Sequence, residues 1–169
     1  LNVSWPGKIK YFALSSGTSE SSSKYIPISS EILRSIRKAG VKQIVSSVKY
    51  ELPRDFFSKG MLMVGGSTNL QHKGTYYAGD LSGITAAKIP FWFRYFYKPE
   101  KEIARETDWP LKLQEIVKKA PEWDVGVLVG VPAWIQIILE KIIEAYDLNT
   151  IHDIWPNLAV YTHSGVAIS

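Results

Sequence analysis

The sequence predicts an α/β domain built on a largely parallel sheet flanked by helices. Three observations carry this. Val125 to Val131, VGVLVGV, is apolar throughout and mostly β-branched. That is the pattern of a strand covered on both faces, as in parallel sheets held between helices. Pro132 stops the strand, and Ala133 to Tyr146, AWIQIILEKIIEAY, continues at once as an amphipathic helix. Elsewhere strand-like and helix-like segments alternate: strand, loop, strand, helix, strand, irregular β, helix, strand, helix, strand. A length of 169 residues suits one compact domain over 1–169 with a substantial core.

Lys8 to Leu14 alternates and carries Ile9, Tyr11, Phe12 and Leu14, so it reads as a strand. Tyr25 to Ile28 is β-branched and aromatic again. Between them lie Ser15, Ser16, Gly17, Thr18, Ser19, Glu20, Ser21, Ser22, Ser23 and Lys24. Two readings of this loop stand side by side. One is a flexible Ser-rich turn. The other is a polyphosphate cradle: N–H groups and hydroxyls for the oxygens, close approach at Gly17, and an ammonium at the end. The spacing G-x-x-x-x-G-K-[ST] is absent, so this is not the common P-loop.

Ser29-Ser30-Glu31 opens a helix carrying Ile32, Leu33, Ile36, Val41, Ile44 and Val45, with Gly40 a point of weakness. Pro53 closes the segment beyond that helix. Gly60 to Gly66, GMLMVGG, is a short buried strand. Gly65-Gly66-Ser67-Thr68 then turns sharply, as a plain turn or a phosphate nest. Lys73 to Pro90 holds three glycines and reads as an irregular strand or hairpin, with Asp80 an Asx-turn residue or a ligand.

Phe91 to Tyr97, FWFRYFY, is the densest aromatic cluster. Packed core, a membrane-facing patch and an apolar acyl pocket all accommodate it, and core is the default because large aromatics are usually buried. Arg94 within it either pairs with a substrate carboxylate or reaches solvent over the rings. Glu102 to Ala120 reads as helix in two parts around Asp108-Trp109-Pro110. Asp108 caps the second part, and Leu111, Leu113, Ile116 and Val117 form its apolar stripe. The Val131-Pro132 junction is a strand-to-helix turn at the carboxyl end of a strand, where open α/β sheets place ligands. Thr150 to Trp155 is a short helical turn, and Leu158 to Tyr161 another buried strand. His163 has no acidic partner nearby in sequence; it is a general base or a structural residue. His72, His152 and His163 lack metal-ligand spacing, so no metal site is expected.

The net charge is +4, with Lys and Arg scattered among acids rather than in a basic block. This argues for a solvated mixed surface and against a nucleic-acid face. No apolar run reaches the roughly 18–20 residues of a membrane span, and no membrane partner is expected. The absence of Cys excludes disulfides and thiolate metal sites and fits a cytoplasmic setting.

The stretch WPGKIKYFALSSGTSESSSKYIPIS, Trp5 to Ser29, resembles the auxin-responsive promoter family of acyl-acid amido synthetases, within the adenylate-forming superfamily. Gly79 to Ile84 (GDLSGI), Val129 to Trp134, and Trp155 to Ala167 (WPNLAVYTHSGVA) match the same family in the same order. The resemblance implies part of the large N-terminal domain of an adenylate-forming enzyme. It implies that a carboxylic acid is activated on ATP, with Mg²⁺, as an acyl-adenylate and passed to an amine or amino acid. It places Ser15, Ser16, Gly17, Thr18, Ser19 and Lys24 on the phosphates, and Gly165, Val166 and Ala167 beside adenine. Val131, Pro132 and Trp134 then border the acyl pocket, with Arg94 a candidate for the acid's carboxylate. It also implies that the chain, from Leu1 to Ser169, is an internal piece of a longer protein, with the metal ligand and a mobile C-terminal domain elsewhere. Such a piece is expected to be inactive alone and to self-associate through an uncovered sheet edge. A non-catalytic nucleotide-binding or interaction fragment is the alternative.

Overall fold

A computed structural model describes residues 7–15 and 24–163. In chain order the elements are β1 (Tyr11–Leu14), β2 (Tyr25–Ile28), α1 (Ser30–Ser47), β3 (Gly60–Val64), β4 (Gln71–Lys73), β5 (Tyr76–Gly79), α2 (Leu81–Ala86), β6 (Tyr97–Lys98), α3 (Lys101–Ala104), α4 (Trp109–Lys119), β7 (Val125–Gly130), α5 (Pro132–Ala145) and β8 (Val160–Thr162). Short 3-10 turns lie at Phe56–Ser58, Phe91–Phe93, Ala120–Glu122 and Ile151–Asp153. The chain divides into two compact units. One takes residues up to 51 with 66–89, and the other takes 52–65 with residues from 90 onward.

The first unit holds a mixed sheet in the order β2-β1-β5-β4. β1 runs antiparallel to β2 and parallel to β5, and β4 closes a hairpin on β5. The hairpin turn uses Gly74 at φ +64°, a backbone region that favours glycine. Ser29 caps α1 by accepting the Ile32 N–H at 3.2 Å, as its place before Glu31 predicts. α1 runs through Gly40 without a break. It rests on the sheet with Ile32 and Leu33, beside Ala13, Ile28 and Ile84. Val41, Val45 and Val48 stay exposed. The stretch expected to be an irregular strand or hairpin begins as the β4–β5 hairpin, but it continues as helix: GDLSGI leads into α2.

The second unit is the parallel sheet flanked by helices. Its order is β6-β3-β7-β8, parallel at every pairing. Leu62 sits opposite Leu128 in register. Both are buried against Ile116 of α4 and Ile135, Ile138 and Ile142 of α5. The register shifts by one residue between Gly60 and Met61, where β7 carries the extra Gly126. The shift lets Val125 join the same buried cluster as Leu128. A side chain at Gly126 would meet the Lys59 stem at 2.7 Å, so the bulge needs glycine. Val127 and Val129, expected to be covered as fully as their neighbours, are only half-buried.

Trp155 lies beneath this core with no exposed surface, and its indole N–H donates to the Ala120 carbonyl at 3.0 Å. The aromatic run after Pro90 is not uniformly core: Phe91 and Tyr95 are both 81% exposed. A one-turn 3-10 segment cannot bury consecutive side chains on one side.

At the amino ends of β3 and β7, the Lys59 ammonium donates to Asp124 at 2.7 Å and also pairs with Asp55. The Asn157 amide donates to the other Asp124 oxygen at 2.9 Å. Lys59, then Asn157, hold the Asp124 carboxyl below its usual range. Asp124, then Asp55, raise the Lys59 amine above its usual range.

This packing has two measurable consequences. Trp155→Ala should cost about 3–5 kcal/mol of unfolding free energy by denaturant titration, through a cavity and an orphaned Ala120 carbonyl. A cost under about 1 kcal/mol would show that the cluster collapses around the gap. A carboxylate with a lowered folded pKa contributes stability above its unfolded value of about 3.9 and loses that contribution as pH falls through the folded value. The stability gap between the native chain and Asp124→Asn should therefore be widest near neutrality and close below about pH 4. A pH-independent gap would dismiss the ion pair as a contributor.

Candidate functional site

The first unit brings the two ends of the Ser-rich loop together. Leu14 pairs with Tyr25 at the top of the β1–β2 ladder. Beyond that pair, the Ser15 N–H donates to the Lys24 carbonyl at 3.1 Å, and the Lys24 N–H donates to Ser15 Oγ at 3.2 Å. The loop is thus cinched at its foot by a reciprocal pair. Lys24 is exposed and its ammonium makes no ion pair among the described residues. Ser16, Gly17, Thr18 and Ser19 lie outside the described residues.

In the same unit, the chain after β3 packs tightly on the start of α2. The Gly66 N–H donates to Ser82 Oγ at 2.9 Å, so the proposed nest has that donor already engaged. A Cβ at Gly66 would fall 2.1 Å from an Asp80 carboxylate oxygen. A Cβ at Gly83 would fall 2.1 Å from the Ser67 carbonyl. Asp80 stands at the N-cap position of α2 without a side-chain cap bond. Glycine-to-alanine inside a helix ordinarily gains about 1 kcal/mol. Here the clash is with backbone, and Gly83→Ala should instead lower stability by about 1–3 kcal/mol in thermal unfolding. A stabilised variant would show that the 66–69 turn moves freely away from α2.

The second unit gathers its chemistry at the carboxyl edge of the parallel sheet. β3 and β7 end in register, with Val64 beside Gly130. Gly65 and Val131 therefore leave the sheet as neighbours. Pro132 starts α5, and Trp134 projects from its first turn, 41% exposed. Its ring meets that of Trp109 edge-on, at 4.0 Å between centroids. Trp109 begins α4, where Asp108 caps the helix by accepting the Leu111 N–H at 3.0 Å. Val131, Pro132 and Trp134 lie at this strand-to-helix junction, and Trp109 joins them through its ring contact with Trp134.

Of the expected stripe of α4, Leu113, Ile116 and Val117 pack on the core, and Leu111 does not. Leu111 is exposed, and Lys112 is buried instead, only 4% exposed. Lys112 stands three residues after Trp109 and four before Ile116, so it shares their face. Its ammonium donates to the Gly65 carbonyl at 3.0 Å. Sequence reading misses this residue, because a lysine between two leucines reads as a wet position. The spacing from Trp109 and Ile116 is the available signal.

Arg94 is exposed, at the end of the 3-10 turn that carries Phe91, and no contact joins it to the Val131–Trp134 junction. His163 is exposed and lies in tilted contact with Tyr161, its ring 5.4 Å away. Gly165, Val166 and Ala167 lie outside the described residues. Among the described residues no cluster of three His, Cys, Asp or Glu side chains can hold a metal ion. No described helix is long and apolar enough to cross a membrane.

A family model described as the GH3 family N-terminal domain matches residues 1–117. Among solved structures, one titled GH3.15 acyl acid amido synthetase shares the fold with a TM-score of 0.54 at 17% sequence identity. The match covers 82% of this chain and 24% of that one. The chain thus spans about a quarter of the length of the structure it matches. No curated protein matches the sequence.

Proposed function

Since the chain belongs to the GH3 family, with the N-terminal-domain model covering residues 1–117, we propose that it forms part of an ATP-dependent acyl-acid amido synthetase. The observation that carries this reading is the cinched foot of the Ser15–Lys24 loop. Two backbone donors hold Lys24 beside Ser15, so an ammonium and a hydroxyl share the mouth of a loop rich in Ser, Thr and Gly. A phosphate oxygen meets that chemistry by charge-assisted hydrogen bonds. In this reading Ser15, Ser16, Gly17, Thr18, Ser19 and Lys24 take the nucleotide phosphates, and Mg²⁺ would supply further charge neutralisation there. Gly165, Val166 and Ala167 take the adenine side.

The acid side is assigned to the carboxyl edge of β3 and β7, where Val131, Pro132, Trp134 and Trp109 offer apolar, aromatic surface. The reaction needs little proton chemistry from the protein. A carboxylate oxygen bonds to the α-phosphorus of ATP while the bond to the β-phosphate oxygen breaks and pyrophosphate leaves. An amine nitrogen then bonds to the acyl carbon and gives up a proton to solvent, while the acyl carbon–oxygen bond breaks and AMP leaves. Positioning and charge stabilisation do most of the work.

The length relation to the matched structure favours a second reading, in which this chain binds nucleotide and acid without completing the reaction alone. Acid-dependent pyrophosphate exchange by the chain separates the two. In the intact enzyme, Lys24→Ala should lower that exchange by about one to two decades, the equivalent of a charge-assisted contact of about 1.5–3 kcal/mol. Its unfolding temperature should not change, since Lys24 is exposed and on a loop. Full exchange in the variant would remove Lys24 from the phosphate site.

A further inference from the structure

Lys112 is the one described cation whose side chain is buried at the carboxyl edge of the parallel sheet. Its position asks for an explanation. Leu or Met there would continue the face of Trp109, Ile116 and Ala120 without the cost of desolvating a charge. The chain carries an ammonium instead and fixes it 3.0 Å from the carbonyl of Gly65, the first residue past β3. Register places that residue beside Val131, the first residue past β7. One helical turn back on the same face stands Trp109, packed against Trp134. A fixed positive charge and a pair of indoles therefore converge on one edge.

We propose that Lys112 determines the preference of this edge for a carboxylate over a neutral ligand of the same shape; the proposal rests on assigning the acid to this edge. A charge held in the protein interior acts through a lower effective dielectric than one in water, so its field at the edge exceeds that of an exposed cation such as Arg94. The field stabilises an anionic headgroup whether or not it touches the ammonium. It leaves a neutral isostere unaffected. The indole pair supplies the apolar body of the site and suits a flat aromatic acid. Lys112 is thus a specificity-determining residue for the acid.

The test uses cinnamate and its neutral isostere cinnamamide, titrated into the 169-residue chain and followed by the indole N–H signals of Trp109 and Trp134. The native chain should bind cinnamate about tenfold tighter than cinnamamide, a ratio typical of one added charge interaction. Lys112→Gln keeps a donor for the Gly65 carbonyl and removes the charge. It should bring the ratio to about one while changing cinnamamide affinity less than about twofold. Lys112→Arg restores charge and should restore the preference. A purely structural lysine would lower both affinities together in Lys112→Gln. That outcome, or an unchanged ratio, overturns the inference and leaves the acid assignment standing. If Lys112→Gln fails to fold, Lys112→Arg decides: a folded arginine variant without the preference overturns the inference. Neither ligand moving either indole in the native chain would overturn the acid assignment itself, and the inference with it.

Discussion

The parallel pairing of β3 with β7 is the constraint on which the second unit depends. Leu62 opposite Leu128 forms the floor on which α4 and α5 rest. Because the strands run the same way and end in register, their outgoing turns emerge together. Gly65 and Val131 are neighbours for that reason alone. α5 can start at once because Pro132 needs no donor in the first helical turn. α4 lies alongside α5 because Ile116 and Ile138 share the same buried layer. The meeting of Trp109 with Trp134 is therefore a consequence of strand register carried through two helix starts.

The two ends of this sheet are built for different tasks. The amino end is tied by polar contacts that satisfy one another: Lys59 with Asp55 and Asp124, and Asn157 with Asp124. The carboxyl end presents exposed indole surface and a lysine held inward. Open α/β sheets place their ligands at the carboxyl end, which is where the acid is proposed to bind.

Much of this is legible in the sequence, for physical reasons that differ by element. The run Val125 to Val131 with Pro132 after it identifies a buried parallel strand and the helix beyond, because strand and helix periods separate cleanly there. Ser29 and Asp108 mark their helix starts, since an N-cap needs only a local side chain and a nearby N–H. Composition alone singles out the Ser15–Lys24 loop, and its closed foot agrees with strands on either side. Other features are hidden. In α4, Leu113, Ile116 and Val117 face the core as their spacing predicts, but Leu111 is exposed and its neighbour Lys112 is buried. The contacts of Gly66 with Asp80 and Gly83 with Ser67 join segments that sequence separates, so GDLSGI reads as β although it opens α2. Residue type alone assigns Phe91 and Tyr95 to the core, and it says nothing about a turn too short to bury them.

We propose that this GH3-family chain holds nucleotide phosphate at the foot of the Ser15–Lys24 loop. The most direct measurement is a titration of the isotopically labelled chain with ATP, monitored through its backbone amide signals. The account predicts that the Ser15 and Lys24 amides move in a saturable way, while the Gly60 and Val125 amides, at the amino end of the parallel sheet, stay in place. Ser15 and Lys24 signals that remain still while others shift, or that remain still throughout, would contradict it.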